Sequence, residues 1–329
     1  MAETVAWGVL GVANIARRAV IPAIQHAANA RLVAIASREP ARAEEAARGY
    51  GIPRAYGAYE ALLDDRDVQA VYIPLPNALH HRWTLACAAA RKHVLCEKPL
   101  ALTAVECEEM AAACRRHGVA LMEAFMYRFH PRTERVASLI AEGTLGHLRL
   151  VRAAFTFIAS APRANIRFRP DLGGGALYDV GCYTVNVSRM ALGEPEEVFA
   201  SGTIGASGVD EQVAAVLRFR GGRAALIDCG LTLPRREEYE IVGTEGRVTV
   251  PAAFLPGTAD AEMVVVRGAD RRVITVPGAD EYQQMIEHFG NVVMGRSRAT
   301  LSPEDATANV RALEALLASV RSAAPQAVA

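Results

Sequence analysis

The first 124 residues are paced by short apolar runs at 5–10, 31–36, 68–73, 94–97 and 119–122, with helix-like segments between them. Runs this short, apolar without alternation, read as strands buried on both faces. Helices are expected at 41–50 (with Pro40 at its first position), at 59–64, through 83–90 behind Asn77 as N-cap, and at about 103–117. Strand and helix in strict alternation predict an α/β unit built on a doubly wound parallel sheet, ending near residue 124. Sheets of this kind bind ligands in the crevice outside the carboxyl ends of their strands, so the residues just after each run carry the functional reading.

After the first run stands Gly11-Val12-Ala13-Asn14-Ile15-Ala16. This has the position and shape of a dinucleotide-binding turn, with Ala in the second and third glycine slots. Gly11 permits the tight turn, Ala13 lets the backbone approach a pyrophosphate, and a helix starting at Asn14 offers free N–H groups to phosphate oxygens. The second run ends in Ser37-Arg38, where an acidic residue would accept from the ribose hydroxyls of NAD. A hydroxyl and a guanidinium suit a 2′-phosphate instead, and Arg42 can join from the same helix face. NADP is therefore the expected cofactor ahead of NAD. The fourth run ends abruptly in Glu97-Lys98-Pro99, which aims two charges at the crevice.

Beyond Glu123 the rhythm changes, and residues 125–329 are expected to form a second, α+β domain after a first domain of residues 1–124. A helix over 130–142, a long strand over 148–158 and an irregular stretch over 163–171 lead to Gly173-Gly174-Gly175 and a helix from 176 to 190. From 198 to 277 the chain reads as strands separated by turns such as Gly221-Gly222, hence an open, mainly antiparallel sheet. Ser302-Pro303-Glu304-Asp305 signals a capped helix, with a frayed tail after about 323. A length of 329 residues suits two domains. Lys plus Arg and Asp plus Glu are both 36, a balance that argues against nucleic acid or an anionic membrane as partner. With no long apolar run and no basic leader before an apolar core, a cytoplasmic location is expected. The six cysteines form no C-x-x-C pair and read as reduced. Asp64, Asp65 and Asp67 read as a solvated turn, and His80, His81 and His117 lack metal-ligand spacing, so no metal is expected.

Together, the glycine turn, Glu97-Lys98-Pro99, the run from Glu123 through Tyr127 to Pro131, and Gly173-Gly174-Gly175 followed by Asp179-Val180-Gly181-Cys182-Tyr183 resemble the glucose-fructose oxidoreductase / inositol dehydrogenase / rhizopine catabolism family across the whole chain. Within it the chain is most similar to NADP-dependent aldose 1-dehydrogenases of the xylose type and to dimeric dihydrodiol dehydrogenases. The resemblance implies that Lys98 lies near the nicotinamide, that Tyr183 is the proton donor or acceptor, and that Asp179 orients them. Many relatives carry His where Tyr183 stands. It also implies that Pro74, Leu75, Asn77 and His80 flank the cofactor beside Glu97 and Lys98, that Arg167 lies near the carboxamide, and that the bond before Pro99 is cis.

The chemistry of these residues is consistent with those roles. Oxidising an alcohol by hydride transfer requires removal of the hydroxyl proton, and a free Tyr, with a pKa near 10, is a poor base at neutral pH. An ammonium nearby stabilises the phenolate, so Lys98 and Tyr183 make a usable pair. Asp179 shares a helix face with Tyr183 if the turn between them is regular. The expected activity is NADP-dependent oxidation of an aldopyranose at C1 to a lactone. Reduction of a keto-sugar and oxidation of a cyclic trans-diol are the near alternatives, and a non-catalytic dinucleotide-binding regulator is the alternative from another class. Tyr239 and His288 are candidates for lining the cleft. A homodimer or homotetramer is expected, because an open sheet leaves a face to cover.

Overall fold

Val5–Leu10 (β1) is buried at every position, as a strand must be when helices cover both faces of its sheet. It lies inside a six-stranded sheet with Ala30–Ala36 (β2), Arg54–Tyr56 (β3), Ala70–Ile73 (β4), His93–Cys96 (β5) and Leu121–Glu123 (β6). The spatial order is β3-β2-β1-β4-β5-β6, and every neighbouring pair is parallel. The doubly wound sheet read from the spacing is present. β3 is the strand the spacing missed, because Arg54-Ala55-Tyr56 is only half-buried and contains no apolar run. The order reverses between β1 and β4, and Gly11, Ser37, Pro74 and Glu97 directly follow β1, β2, β4 and β5. These are the ends at which such sheets bind ligands.

The computed structural model describes residues 4–160 and 165–328 and divides into two compact units. One comprises the chain up to Ala101, Val105–Met126 and Asp280–Thr307; the other comprises Leu102–Ala104, Tyr127–Ala279 and the chain from Ala308. A single cut at 124 does not describe this, because the helix Glu281–Val293 returns to the first unit. Asp280 caps it, accepting from the N–H groups of Tyr282 and Gln283 at 2.9 and 3.0 Å. Met285, Ile286 and Phe289 form its buried stripe. Phe289 packs on Trp7 of β1 with ring centroids 5.6 Å apart, and the Asn29 amide donates to the Glu287 carbonyl at 2.8 Å.

The second unit is built on nine strands: Leu148–Ile158 (β7), Pro195–Ile204 (β8), Asp210–Phe219 (β9), Arg223–Gly230 (β10), Thr232–Gly243 (β11), Arg247–Pro251 (β12), Ala261–Arg267 (β13), Asp270–Val276 (β14) and Gln326–Ala327 (β15). Their order is β14-β13-β12-β11-β7-β10-β9-β8-β15, antiparallel except for the β7–β10 pair. Burial alternates along β9, as it does when one face is covered. The helix Cys182–Leu192 packs on β7 and β10. Phe199, Val216 and Leu226 are exposed. Ser302 caps the helix Pro303–Ser322 as read, accepting from the Asp305 N–H at 3.2 Å. The tail does not fray: β15 pairs with β8, and the Val328 N–H reaches the Glu196 carbonyl at 3.0 Å. Of the stretch read as irregular, 163 and 164 lie outside the described residues, and the rest forms two short 3₁₀ turns, Ile166–Phe168 and Pro170–Leu172. Among the described residues no helix is long and apolar enough to cross a membrane.

Phe289 is fully buried, so Phe289→Ala should cost about 3–5 kcal/mol of unfolding free energy. Urea denaturation of the full chain measures this, and a loss below about 1 kcal/mol would show that helix Glu281–Val293 is not integral to the first unit.

Candidate active site

The crevice end of the first unit is shaped by Gly11. Its φ of +111° lies in a region side-chain-bearing residues rarely adopt, and a Cβ there would stand 3.1 Å from Leu75 Cδ2. Helical conformation begins at Asn14, as expected, then passes through a π turn over Ala16–Val20 before the α-helix Ile21–His26. Asn14 is exposed, and its side-chain oxygen accepts from Arg17 at 2.7 Å. Val12, Ala13 and Ile15 are only partly covered. A turn whose positive φ suits glycine and where a Cβ would crowd Leu75, leading into an open helix start, fits a dinucleotide pyrophosphate. At the end of β2, Ser37 is buried and its hydroxyl oxygen accepts from the Glu39 N–H at 3.2 Å. Arg38 is exposed. Arg42 pairs with Glu39 at 3.3 Å on the surface, a contact weak enough for an anionic ligand to displace.

The loop after β4 and the Glu97-Lys98-Pro99 stretch are tied together by His80. The ring is fully buried, with Nε2 2.8 Å from the Leu75 carbonyl and Nδ1 2.9 Å from the Pro99 carbonyl. A neutral imidazole donates to only one of them, and burial holds its pKa below the usual histidine range. Lying between the two carbonyls, His80 braces the loop after β4 against the Glu97-Lys98-Pro99 stretch. Asn77 is not the N-cap of an α-helix. Pro76, at φ −55° and ψ 144°, feeds a tight 3₁₀ turn over Asn77–Leu79, and the helix His80–Ala89 starts after it without a side-chain cap.

Glu97 is 9% exposed and accepts from the Tyr72 hydroxyl at 2.6 Å. Burial first, and then that carboxylate, push the Tyr72 phenol well above its ordinary range. Glu97 is thus bound into the sheet, while Lys98 is partly exposed and the Lys98–Pro99 bond is cis, as the resemblance implied. Glu123, a residue not singled out as a site residue, accepts from the Leu100 N–H at 2.7 Å from the end of β6. His80 and Glu123 therefore fix the backbone on the C-terminal side of Lys98.

In the second unit, Tyr183 and Asp179 lie on one continuous helical stretch whose first part, Leu177–Gly181, is a π turn rather than the regular α turn expected. Such turns recur at functional sites. Tyr183 is 4% exposed, and its ring stands 5.3 Å from Phe155, 5.3 Å from Phe254 and 5.9 Å from Tyr127. Tyr127 donates from its hydroxyl to Asn186 at 2.5 Å, and Arg128 donates to the same oxygen at 3.1 Å. Arg167 donates from Nε to Asp179 at 2.6 Å, and its guanidinium lies 5.4 Å from the Phe157 ring centroid. The glycine run explains this pairing. The Gly175 N–H bonds to the Arg167 carbonyl at 2.9 Å, and a Cβ on Gly174 would press into that same carbonyl. Gly175, with φ +123°, makes room for Asp210, whose carboxylate accepts from the Leu177 N–H at 2.7 Å and so caps the helical stretch.

Neither Tyr239 nor His288 is exposed. Tyr239 is 1% exposed, packs on Phe254, and has its phenol pushed up by burial. His288 is half-buried and accepts from the Thr300 N–H at 3.1 Å. Among the described residues no cluster of His, Cys, Asp or Glu could hold a metal ion, and no disulfide joins the six cysteines, all of which are buried.

Residues 5–125 match the oxidoreductase family with an NAD-binding Rossmann fold, and residues 133–249 match the C-terminal domain of the same group. The chain belongs to the GFO/IDH/MocA oxidoreductase family. Among members of this family it is 41% identical to a D-xylose 1-dehydrogenase (NADP(+)) of Haloferax volcanii, over 97% of this chain and 98% of that one. It is 39% identical to a trans-1,2-dihydrobenzene-1,2-diol dehydrogenase of Danio rerio, over 75% and 74% of the two chains. In fold it is similar to a 3-ketoreductase of Actinomadura kijaniata solved with NADP and TDP-benzene, with a TM-score of 0.91, 32% identity, and coverage of 96% and 98%.

Burial raises the Asp210 pKa to about 6, against the opposing pull of the backbone N–H groups and Arg321. Between about pH 4 and pH 6 the folded chain holds a proton that an unfolded Asp, with a pKa of about 3.9, has released. Stability from this group is therefore greatest below that window and falls as pH rises through it. Asp210→Asn keeps an acceptor for Leu177 and removes the buried charge. Its unfolding free energy, measured against pH, should gain about 2–3 kcal/mol on wild type between pH 4 and pH 7. Parallel profiles for the two proteins would contradict the assignment.

Proposed function

We propose that this chain is an NADP-dependent dehydrogenase that oxidises the anomeric carbon of an aldopyranose to a lactone. The observation that carries the cofactor choice is the end of β2, where Ser37 and Arg38 replace an acidic residue and Arg42 stands one turn on. The 41% identity to a D-xylose 1-dehydrogenase (NADP(+)) supports the substrate class. Gly11, Val12, Ala13, Asn14 and Ile15 would hold the pyrophosphate, and Ser37, Arg38 and Arg42 the 2′-phosphate. Pro74, Leu75, Asn77 and His80 on the loop after β4, with Glu97, Lys98 and Arg167, would serve the nicotinamide end. When bound, the nicotinamide supplies the hydride acceptor.

In this mechanism Tyr183 takes the proton of the substrate C1 hydroxyl as its hydride leaves, and Lys98 stabilises the phenolate that makes Tyr183 a base. A bare carboxylate four residues before Tyr183 would oppose formation of that phenolate. The Arg167 guanidinium, 2.6 Å from Asp179, offsets that charge. The same groups run in reverse reduce a keto-sugar, a second reading favoured by the likeness to the 3-ketoreductase. A regulator without turnover would not need Lys98 and Tyr183 together. The protein is proposed to work in the cytoplasm, with a second copy covering the sheet face that bears Phe199, Val216 and Leu226.

Lys98→Met and Tyr183→Phe should each lower kcat by about 10²–10⁴-fold, the usual worth of a general acid–base group, while NADPH affinity by fluorescence titration stays within about 3-fold, about 0.7 kcal/mol. Wild-type rates in either variant would sink the mechanism. Light scattering should give at least a dimer for wild type and a smaller species for Val216→Glu; a wild-type monomer would exclude the paired sheet face.

A further inference from the structure

The crevice end of the first unit carries one more polar group. Tyr59, the first residue of the helix Tyr59–Leu63, is 6% exposed and sets its ring edge-on against Trp83, with centroids 4.8 Å apart at 89°. Its hydroxyl oxygen is at the Gly11 turn, 3.6 Å from where a Cβ on Gly11 would stand. The charges of Arg38 and Arg42 both act on that oxygen, and the Gly11 N–H bonds to the Ala36 carbonyl at 2.8 Å, two residues before Arg38. One hydroxyl therefore stands at the turn that approaches a pyrophosphate and in the field of the cation that follows β2.

We propose that Tyr59 is a specificity-determining residue for the dinucleotide, its hydroxyl accepting from Arg38 to aim the guanidinium at a 2′-phosphate and donating its own proton to an anionic phosphate oxygen. A neutral phenol is both acceptor and donor, so one hydroxyl serves both contacts. Burial raises the Tyr59 pKa although the two arginines pull it down, which keeps the phenol protonated and its donor in place. The ring cannot turn away without leaving Trp83, so the oxygen is held at the turn before any ligand arrives. Arg38, exposed and on a flexible stem, gains a fixed direction from it.

The proposal rests on the NADP reading, and equilibrium binding separates the two. Fluorescence titration with NADPH and NADH, and calorimetry with 2′,5′-ADP and 5′-AMP, are run on wild type, Tyr59→Phe, Arg38→Ala and the double variant. Wild type should prefer NADPH over NADH and 2′,5′-ADP over 5′-AMP; no preference would overturn the NADP reading itself. With that preference present, Tyr59→Phe should weaken NADPH and 2′,5′-ADP by about 10-fold and leave NADH and 5′-AMP within about 2-fold. In the Arg38→Ala background the same change should have less than half that effect, because the two groups act together. Equal losses for all four ligands would reduce Tyr59 to a packing residue and overturn the proposal. Full additivity with Arg38→Ala, or no change in selectivity, would overturn it as well.

Discussion

The point at which the parallel sheet reverses its order, between β1 and β4, governs the first unit. A right-handed crossover sends the chain to opposite sides of β1, and the diverging helices leave a crevice at the carboxyl ends. Gly11, Ser37, Pro74 and Glu97 stand at the ends of four different strands because that crevice is where a ligand can be reached. The strands themselves are almost wholly buried, so their ends are positioned by a core that tolerates little movement. His80, joining the carbonyls of Leu75 and Pro99, carries that rigidity into the segment bearing Lys98.

In the second unit a comparable constraint comes from one buried carboxylate. Asp210 begins β9 and caps the stretch that carries Asp179 and Tyr183, and Gly175 leaves room for it. The cap costs stability at neutral pH, since burial disfavours the charged form. Holding a helix start in one place against the sheet is worth that cost where a functional side chain follows within two turns. The aromatic rings around Tyr183 fix its direction further, and the Arg167–Asp179 pair settles the nearest charge.

Much of the first unit was legible because buried parallel strands leave unbroken apolar runs, as Val5–Leu10 does. β3 was not, because its three residues are held by register with β2 and not by their own composition. The helix Glu281–Val293 had an Asp280 cap and an apolar stripe, yet its place against Trp7 depends on a contact across most of the chain. The tail reads as frayed in sequence because two residues carry no periodicity; their strand exists only through pairing with β8. Among the site residues, the types and the loop positions were legible, but the partners were not. Nothing in the sequence tells that His80 lies between two carbonyls, that Glu97 takes the Tyr72 hydroxyl, or that Asp179 meets Arg167. Each depends on how a fold brings distant backbone together.

The most direct measurement is the fate of one deuterium. An aldopyranose labelled with deuterium at C1 is incubated with NADP⁺ and the full chain, and the nucleotide is analysed by mass spectrometry. Deuterium carried to the reduced nucleotide, with unlabelled reduced nucleotide absent and the sugar recovered as lactone, is the expected result. Reduced nucleotide without the label, or labelled sugar returned unchanged across the common aldopyranoses, would contradict hydride transfer from C1.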